Sequence, residues 1–421
     1  MNGHPRPSSN QLKPSAVVSS LGYLICPCKL ALQVPQNPIL TWAQNNDCSD
    51  TMHAEEDTPT TPHPYGVGTI LRIREHLPPK PFTGGNGPSP RRNFDWHVWR
   101  EENENKIWWE MDRVKFALDY PPIETDPPSK LERTLTITGS KTRRTSGGAH
   151  VLTCFLDGQP VEYVAKIYDG AHYPMDPNER GHDCMTAADL DYSLEALAYS
   201  IIQPVIGGTV VPAYSGSWTF ALDTNQPGQQ RWVCMILIEL VQGECMLDII
   251  LRADNGNVDY ALLPRENFRT RVLQNMIDAE SMISWEVGIS HNDIEPRNVI
   301  VKPDGSVVIV DFNQAETNNY KQHAMKQKYN PTGKPPSPIP RYWSNIGNGK
   351  GRWRGWMPER WLEDEELGNE WLILTYQNVP KYMPPSQYFL DKSCHEGQSR
   401  KILDLLEELG RKPAGSLSKK E

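Results

Sequence analysis

Residues 288 to 316 read GISHNDIEPRNVIVKPDGSVVIVDFNQAE, and polar side chains able to do chemistry recur there at set intervals. Asn298 follows Asp293 by five positions, Asp311 follows it by eighteen, and His291 leads the group. The segment between, VIVKPDGSVVIV, is two apolar runs around Pro303-Asp304-Gly305, the turn chemistry of a hairpin. A hairpin returns the chain on itself, so Asp311 is expected to emerge beside the loop that carries Asp293 and Asn298. Two carboxylates and an amide then converge, all of them hard oxygen donors. Such donors suit Mg2+, which keeps few protein ligands and completes its shell with water and phosphate oxygens.

The flanking elements must hold that loop in place. LERTLTIT alternates like a strand, and HVLTCFLDGQPVEYVAKIYD reads as two strands joined at Asp157-Gly158. AADLDYSLEALAYSII carries Leu190, Leu194, Leu197 and Ile201 at helical spacing, which predicts one apolar face. GTVVPAYSGSWTFAL and RWVCMILIELVQG supply further strands. A long helix is predicted over NFRTRVLQNMIDAESMISWEVGI, with Val272, Met276, Ala279 and Ile283 on one stripe. Strands, a helix, more strands and then helices define an α+β order, not the alternation of a doubly wound sheet.

HNDIEPRNVIV and VVIVDFNQA together resemble the catalytic loop and metal-binding segment of the protein kinase-like superfamily, H-x-D-x-x-x-x-N followed by D-F-x. In motif style the match is similar to divergent fungal kinase-like proteins and to aminoglycoside and choline kinases. The resemblance spans about residues 131–320. It implies a two-lobed fold: a β-rich N-lobe with one helix and a preceding aromatic segment over 96–240, then a mainly helical C-lobe over 241–421. It also implies ATP and Mg2+ as cofactors. By position, Asp293 would orient or deprotonate the attacking hydroxyl, Asn298 and Asp311 would hold Mg2+, and His291 would brace the loop. Arg297 would bring a cation to the transferred phosphate.

Upstream, Lys166 in EYVAKIYD resembles the nucleotide-phosphate lysine of V-A-I-K, and Glu195 in SLEALAYSII stands on the helix expected to pair with it. MILIELVQGE resembles the strand entering an inter-lobe hinge. Backbone groups from Glu239 to Val241 would then bond adenine, with Ile238 at the back of the pocket. TGSKTRRTSGGAHV holds Gly139, Gly147 and Gly148 without spelling G-x-G-x-x-G. Its Gly147-Gly148 pair could form a phosphate nest, with Arg143 or Arg144 adding charge.

Departures from the pattern bear on function. Asn292 replaces the Arg of H-R-D, which argues against switching by a phosphorylated activation loop. Glu295 stands where protein kinases acting on Ser/Thr carry a Lys, and an acid there repels the γ-phosphate. Asn313 replaces the Gly of D-F-G, although Asn tolerates left-handed backbone. No A-P-E follows Asp311; Pro358-Glu359 in WMPER comes nearest. Two readings result. One is a phosphotransferase acting on a hydroxyl of protein Ser/Thr or of a small molecule. The other is a pseudokinase, a kinase-shaped nucleotide-binding or scaffold protein. Retention of Lys166, Glu195, Asp293, Asn298 and Asp311 favours transfer.

Composition narrows the rest. The chain has 421 residues and a formal charge of −9, without a basic block, which argues against nucleic acid or an anionic membrane as the main partner. Its eight Cys include no CxxC pair, and Cys26 and Cys28 lack a second ligand pair at zinc-site spacing. A reduced, intracellular chain (cytoplasmic or nuclear) is expected. AVVSSLGYLICPCKLALQV, its longest apolar stretch, is broken by Pro27 and Lys29, so no membrane span is expected. Residues 1–95 are rich in Pro, Ser and Thr, a composition that predicts disorder. NPTGKPPSPIPRYW reads as irregular and the Trp-dense stretch after it as core packing. A final helix is predicted in SRKILDLLEELGRKP, from an N-cap at Ser399 to stop signals at Gly410 and Pro413.

Overall fold

A computed structural model describes residues 64–82, 112–123, 131–142, 148–173, 183–254, 258–317, 333–343, 346 and 352–383. All of them fall in one compact unit, His53–Glu421. Six strands close into an antiparallel barrel in the order β1-β2-β3-β4-β6-β5. They are β1 Ile70–Glu75, β2 Glu132–Ser140, β3 His150–Leu156, β4 Glu162–Tyr168, β5 Tyr214–Asp223 and β6 Gln230–Glu239.

Because side chains alternate across a strand, each strand of the barrel wall serves two cores. In β4, Ala165 and Ile167 point inward to a barrel core that includes Leu135, Leu152, Phe220 and Met235. Lys166 and Tyr168 therefore project outward. Lys166 is in register with Ile236 of β6, whose outward neighbours Cys234 and Ile238 belong to a second, larger core. Gly139 sits at an irregularity in the β2–β3 ladder, where any Cβ would meet Thr153 Oγ1 at 2.8 Å. A side chain there would crowd the ladder, which explains the Gly by close strand packing.

β1 corrects the expectation that residues 1–95 are wholly disordered. Leu71 and Ile73 alternate into the barrel, and Tyr65 just before them is buried in the same core. Six alternating residues, ILRIRE, suffice for a strand that pairs with both β2 and β5. A composition average over the polar surroundings hides so short a signal.

The aromatic segment before residue 120 ends in α1, Arg113–Asp119, capped by the Asp112 carboxylate and burying Phe116 and Ala117. The helix after β4 is α2, Cys184–Ile206, whose N-cap Asp183 accepts from the N–H groups of Met185 and Thr186 at 2.9 and 2.8 Å. The expected apolar stripe, Leu190, Leu194, Leu197 and Ile201, is its half-buried flank. The buried face is instead Ala188, Tyr192, Glu195, Tyr199 and Ile202. Ala and Tyr fill this face and it carries the paired Glu195 carboxylate inward, a pattern that a count of Leu and Ile cannot register.

β7, Glu244–Cys245, leads to α3, Met246–Leu251, and then to α4, Glu266–Met282, which buries Val272, Met276 and Ala279 as predicted. A π-helical turn, Ile283–Val287, also buries Ile283 and ends at Gly288. Gly288 takes φ 85°, which turns the chain sharply into β8, Ile289–Ser290. The expected hairpin is present as β9, Val299–Val301, and β10, Val307–Ile309, with β7 on its edge; β8 pairs with β11, Glu316–Thr317. Beyond it, α5 Ile339–Tyr342, α6 Arg360–Glu363 and α7 Glu365–Tyr376 complete the described chain. Trp343, Trp353, Trp356 and Trp361 are buried in the larger core, so these indoles pack rather than form a ligand platform.

Gly147, Arg143, Arg144, Cys26, Cys28 and the helix predicted after Ser399 lie outside the described residues. Among the described residues, Cys154, Cys184, Cys234 and Cys245 form no disulfide. No described helix is long and apolar enough to cross a membrane.

Candidate functional site

Lys166 on β4 is the centre on which the site converges. Its ammonium lies 2.5 Å from Glu195 Oε2 and also bonds Asp311 Oδ1. Three elements meet there: the outer face of the barrel, the buried face of α2, and the turn after β10. Tyr168, two residues along the same strand face, donates its hydroxyl to Glu195 Oε2 at 2.6 Å. Glu195 is fully buried, and each of its oxygens has a donor, because Phe312 N–H reaches Oε1 at 3.2 Å. A buried carboxylate is costly unless paired and hydrogen-bonded in this way.

The segment Asp311-Phe312-Asn313 is fixed to these elements residue by residue. Asp311 bonds Lys166, Phe312 N–H bonds Glu195, and Asn313 Nδ2 lies 3.4 Å from Asp191 Oδ2 on α2. Phe312 is buried against Tyr199 and His291, with ring centroids 5.3 and 4.6 Å away. The left-handed backbone expected at Asn313 falls instead at Asp311, with φ 70°. That turn aims the Asp311 carboxylate back at Lys166. Asn292 is also left-handed, with φ 64°.

His291 ties the loop to the end of the hairpin. Its Nε2 lies 2.9 Å from Val310 O, and its Nδ1 accepts the Asp293 N–H at 3.3 Å. An acceptor Nδ1 leaves Nε2 as the donor, so the ring is the neutral tautomer. Burial, which holds the imidazole below its usual pKa, agrees with that assignment. Asn298 donates Nδ2 to Asp293 O at 2.8 Å and to Asp293 Oδ2 at 2.9 Å. Arg297 Nη2 spans both Asp293 oxygens at 2.9 and 2.8 Å. Glu295, the acid expected to repel the γ-phosphate, is paired with Arg297 and with Arg352.

The electrostatics of the centre are set by one ammonium between two carboxylates. Burial alone would depress the Lys166 pKa, but Asp311 and Glu195 outweigh it and hold the group above an ordinary lysine. Burial acts on Asp311 in the opposite sense, and Lys166 outweighs it to keep the carboxyl below its usual range. Full burial holds Glu195 above the usual range even with Lys166 beside it.

Val310 N–H donates to Asn298 O at 3.0 Å, which sets the start of the Asp311 turn beside Asn298. Asn298 turns its amide nitrogen to Asp293, which leaves Oδ1 as its oxygen donor, and Asp311 bonds Lys166 through Oδ1. These are hard oxygen donors of the kind Mg2+ takes, few enough to require water or phosphate for the rest of the shell. Among the described residues no three His, Cys, Asp or Glu side chains group as a self-sufficient metal cage.

Glu239 N–H is donated to Ala213 O at 2.8 Å, and its carboxylate accepts Ala213 N–H at 3.0 Å. Val241 is buried. Gly148 lies just before β3 with φ 153° and open space around its Cα. Three contributors escaped the sequence reading: Tyr168, Asp191 and Arg352. The two-residue strand spacing from Lys166 could have pointed to Tyr168. No local pattern points to Arg352, which lies far along the chain.

No protein-family model matches this chain. No curated protein matches it either.

Proposed function

We propose that this chain is an ATP- and Mg2+-dependent phosphotransferase with a two-lobed, protein kinase-like architecture, moving a γ-phosphate to a hydroxyl of a protein or small molecule. The observation that carries the reading is the Lys166 ammonium bonded at once to Glu195 and Asp311. Those three types, delivered by a strand, a helix and the turn after a hairpin, are what a phosphate–Mg2+ cradle needs. Lys166 would hold nucleotide phosphates, with Glu195 and Tyr168 keeping it in place. Asn298 and Asp311 would hold Mg2+, whose chemistry is to neutralise charge that builds on the phosphate oxygens. Asp293 would take up or orient the acceptor hydroxyl's proton, with its carboxylate held by Asn298 and Arg297. Positioning and charge stabilisation carry most of phosphoryl transfer, so a rigidly bonded loop suits the task.

A second reading, a nucleotide-binding scaffold without efficient transfer, is favoured by the engagement of both Asp293 oxygens with Arg297. One experiment separates the two. Purified protein is incubated with γ-labelled ATP and Mg2+ beside Asp293→Asn and Asp311→Ala. The phosphotransferase reading expects label transfer or hydrolysis in the unaltered chain and its loss in both variants. Equal signal in all three contradicts it, and Mg2+-dependent binding without turnover favours the scaffold.

A further inference from the structure

Glu295 is the residue in the loop that works against phosphoryl transfer, and its surroundings answer it. Its Oε2 bonds Arg297 Nη1, and its Oε1 lies 3.5 Å from Arg352 Nη2. Arg352 also donates Nη1 to Ile294 O at 3.4 Å. With Arg297 clamped on Asp293, the side chains form an alternating row, Asp293–Arg297–Glu295–Arg352, of two acids and two cations.

Arg352 is delivered to this row by a firmly anchored segment. Trp353 and Trp356 are buried, Trp356 Nε1 donates to Met246 O at 3.1 Å, and Arg360 bonds both oxygens of Glu266 at 2.7 Å. The Arg352 side chain itself is half exposed, so its pairing adds little to fold stability. Its effect belongs to the local field.

On the phosphotransfer reading of this site, we propose that Arg352 is a positioning residue that acts through Glu295. By holding Glu295 it offsets the acid's charge beside the transferred phosphate and leaves Arg297 aligned on Asp293. Without Arg352, the Glu295 charge is offset by Arg297 alone, which must also serve Asp293, and the acid repels the γ-phosphate. The chain thereby replaces a basic side chain on the loop with a guanidinium from a distant segment.

The test is steady-state turnover of γ-labelled MgATP by the full chain, with thermal midpoints recorded for every variant. Arg352→Ala is expected to lower kcat about tenfold, the scale of losing one cation from a charge-stabilised site, with KM for MgATP within about twofold. Arg352→Lys is expected to recover part of the loss, because it keeps the charge. Glu295→Gln combined with Arg352→Ala is expected to regain most of the rate, since it removes the acid that Arg352 serves. A purely structural role for Arg352 gives no such suppression and shifts the thermal midpoint. Full activity in Arg352→Ala, or a double variant as slow as Arg352→Ala, overturns the inference. If the unaltered chain turns over no faster than Asp293→Asn, the phosphotransfer reading fails and this one with it. If it turns over normally and Arg352 has no effect, this inference alone fails.

Discussion

Lys166 Nζ and Glu195 Oε2 stand 2.5 Å apart although 29 positions separate the residues in the chain. One projects from the outer face of the barrel, the other from the buried face of α2. The contact ties barrel to helix, and the Asp311 turn is built onto the pair. Removing one partner of so buried a pair leaves a charge without compensation.

Lys166→Met is therefore expected to destabilise the protein by about 3–5 kcal/mol. Urea unfolding at neutral pH measures it. Lys166→Met with Glu195→Leu is expected to cost less than Lys166→Met alone, since only Asp311, the less buried of the two stranded carboxylates, remains. A double variant weaker than the single one contradicts this account of the pair.

Tyr168→Phe removes the hydroxyl that donates to Glu195 at 2.6 Å while keeping the ring in the core. A hydrogen bond to a buried charged group predicts a loss of roughly 1–3 kcal/mol. The same variant is expected to weaken MgATP binding severalfold, because Glu195 then holds Lys166 less firmly. Calorimetric titration and urea unfolding read the two effects separately.

Much of this centre was legible in the sequence, for a physical reason. The loop, the hairpin and Asp311 lie within one short stretch, so turn chemistry at Pro303-Asp304-Gly305 was enough to fold Asp311 back beside Asn298. Lys166 and Glu195 stood out only through the resemblance to V-A-I-K and the helix expected after it, since a Lys in a strand and a Glu on a helix carry little signal by themselves. What could not be read locally was the pairing of Glu295 with Arg352, which depends on how a Trp-dense segment packs under the loop. The buried face of α2 was misread because it is built from Ala, Tyr and a paired Glu rather than from Leu. Strand β1 was hidden in polar surroundings.

The His76 imidazole near the end of β1 is buried, with Nδ1 2.7 Å from the Tyr192 hydroxyl on α2. Burial, aided by nearby Arg74, lowers its pKa to about 4. As pH falls through about 6.5 the unfolded chain takes up a proton there, whereas the folded chain does not until about 4. Stability present above pH 6.5 is thus lost across that window, by roughly 3 kcal/mol if His76 acts alone. Buried His291 acts in the same direction. Urea midpoints measured from pH 7 to 4 should fall steeply in the unaltered protein and more gently in His76→Gln.

Trp356 is buried in the larger core and bonds Met246 O through its indole nitrogen. Trp356→Ala is expected to cost about 3–5 kcal/mol from lost packing. If the Trp-dense segment anchors Arg352, this variant should also slow turnover at temperatures where it remains folded. Circular dichroism melting fixes those temperatures before the rates are compared.

The central claim, that Lys166, Glu195, Asn298 and Asp311 form a Mg2+–nucleotide phosphate site, is tested most directly by calorimetric titration of ATP into the full chain with Mg2+ and with EDTA. The account predicts that Mg2+ tightens ATP binding at least about tenfold, a coupling of roughly 1.4 kcal/mol, and that Asp311→Ala abolishes the difference. Equal affinities with and without Mg2+, or no ATP binding at all, contradict it.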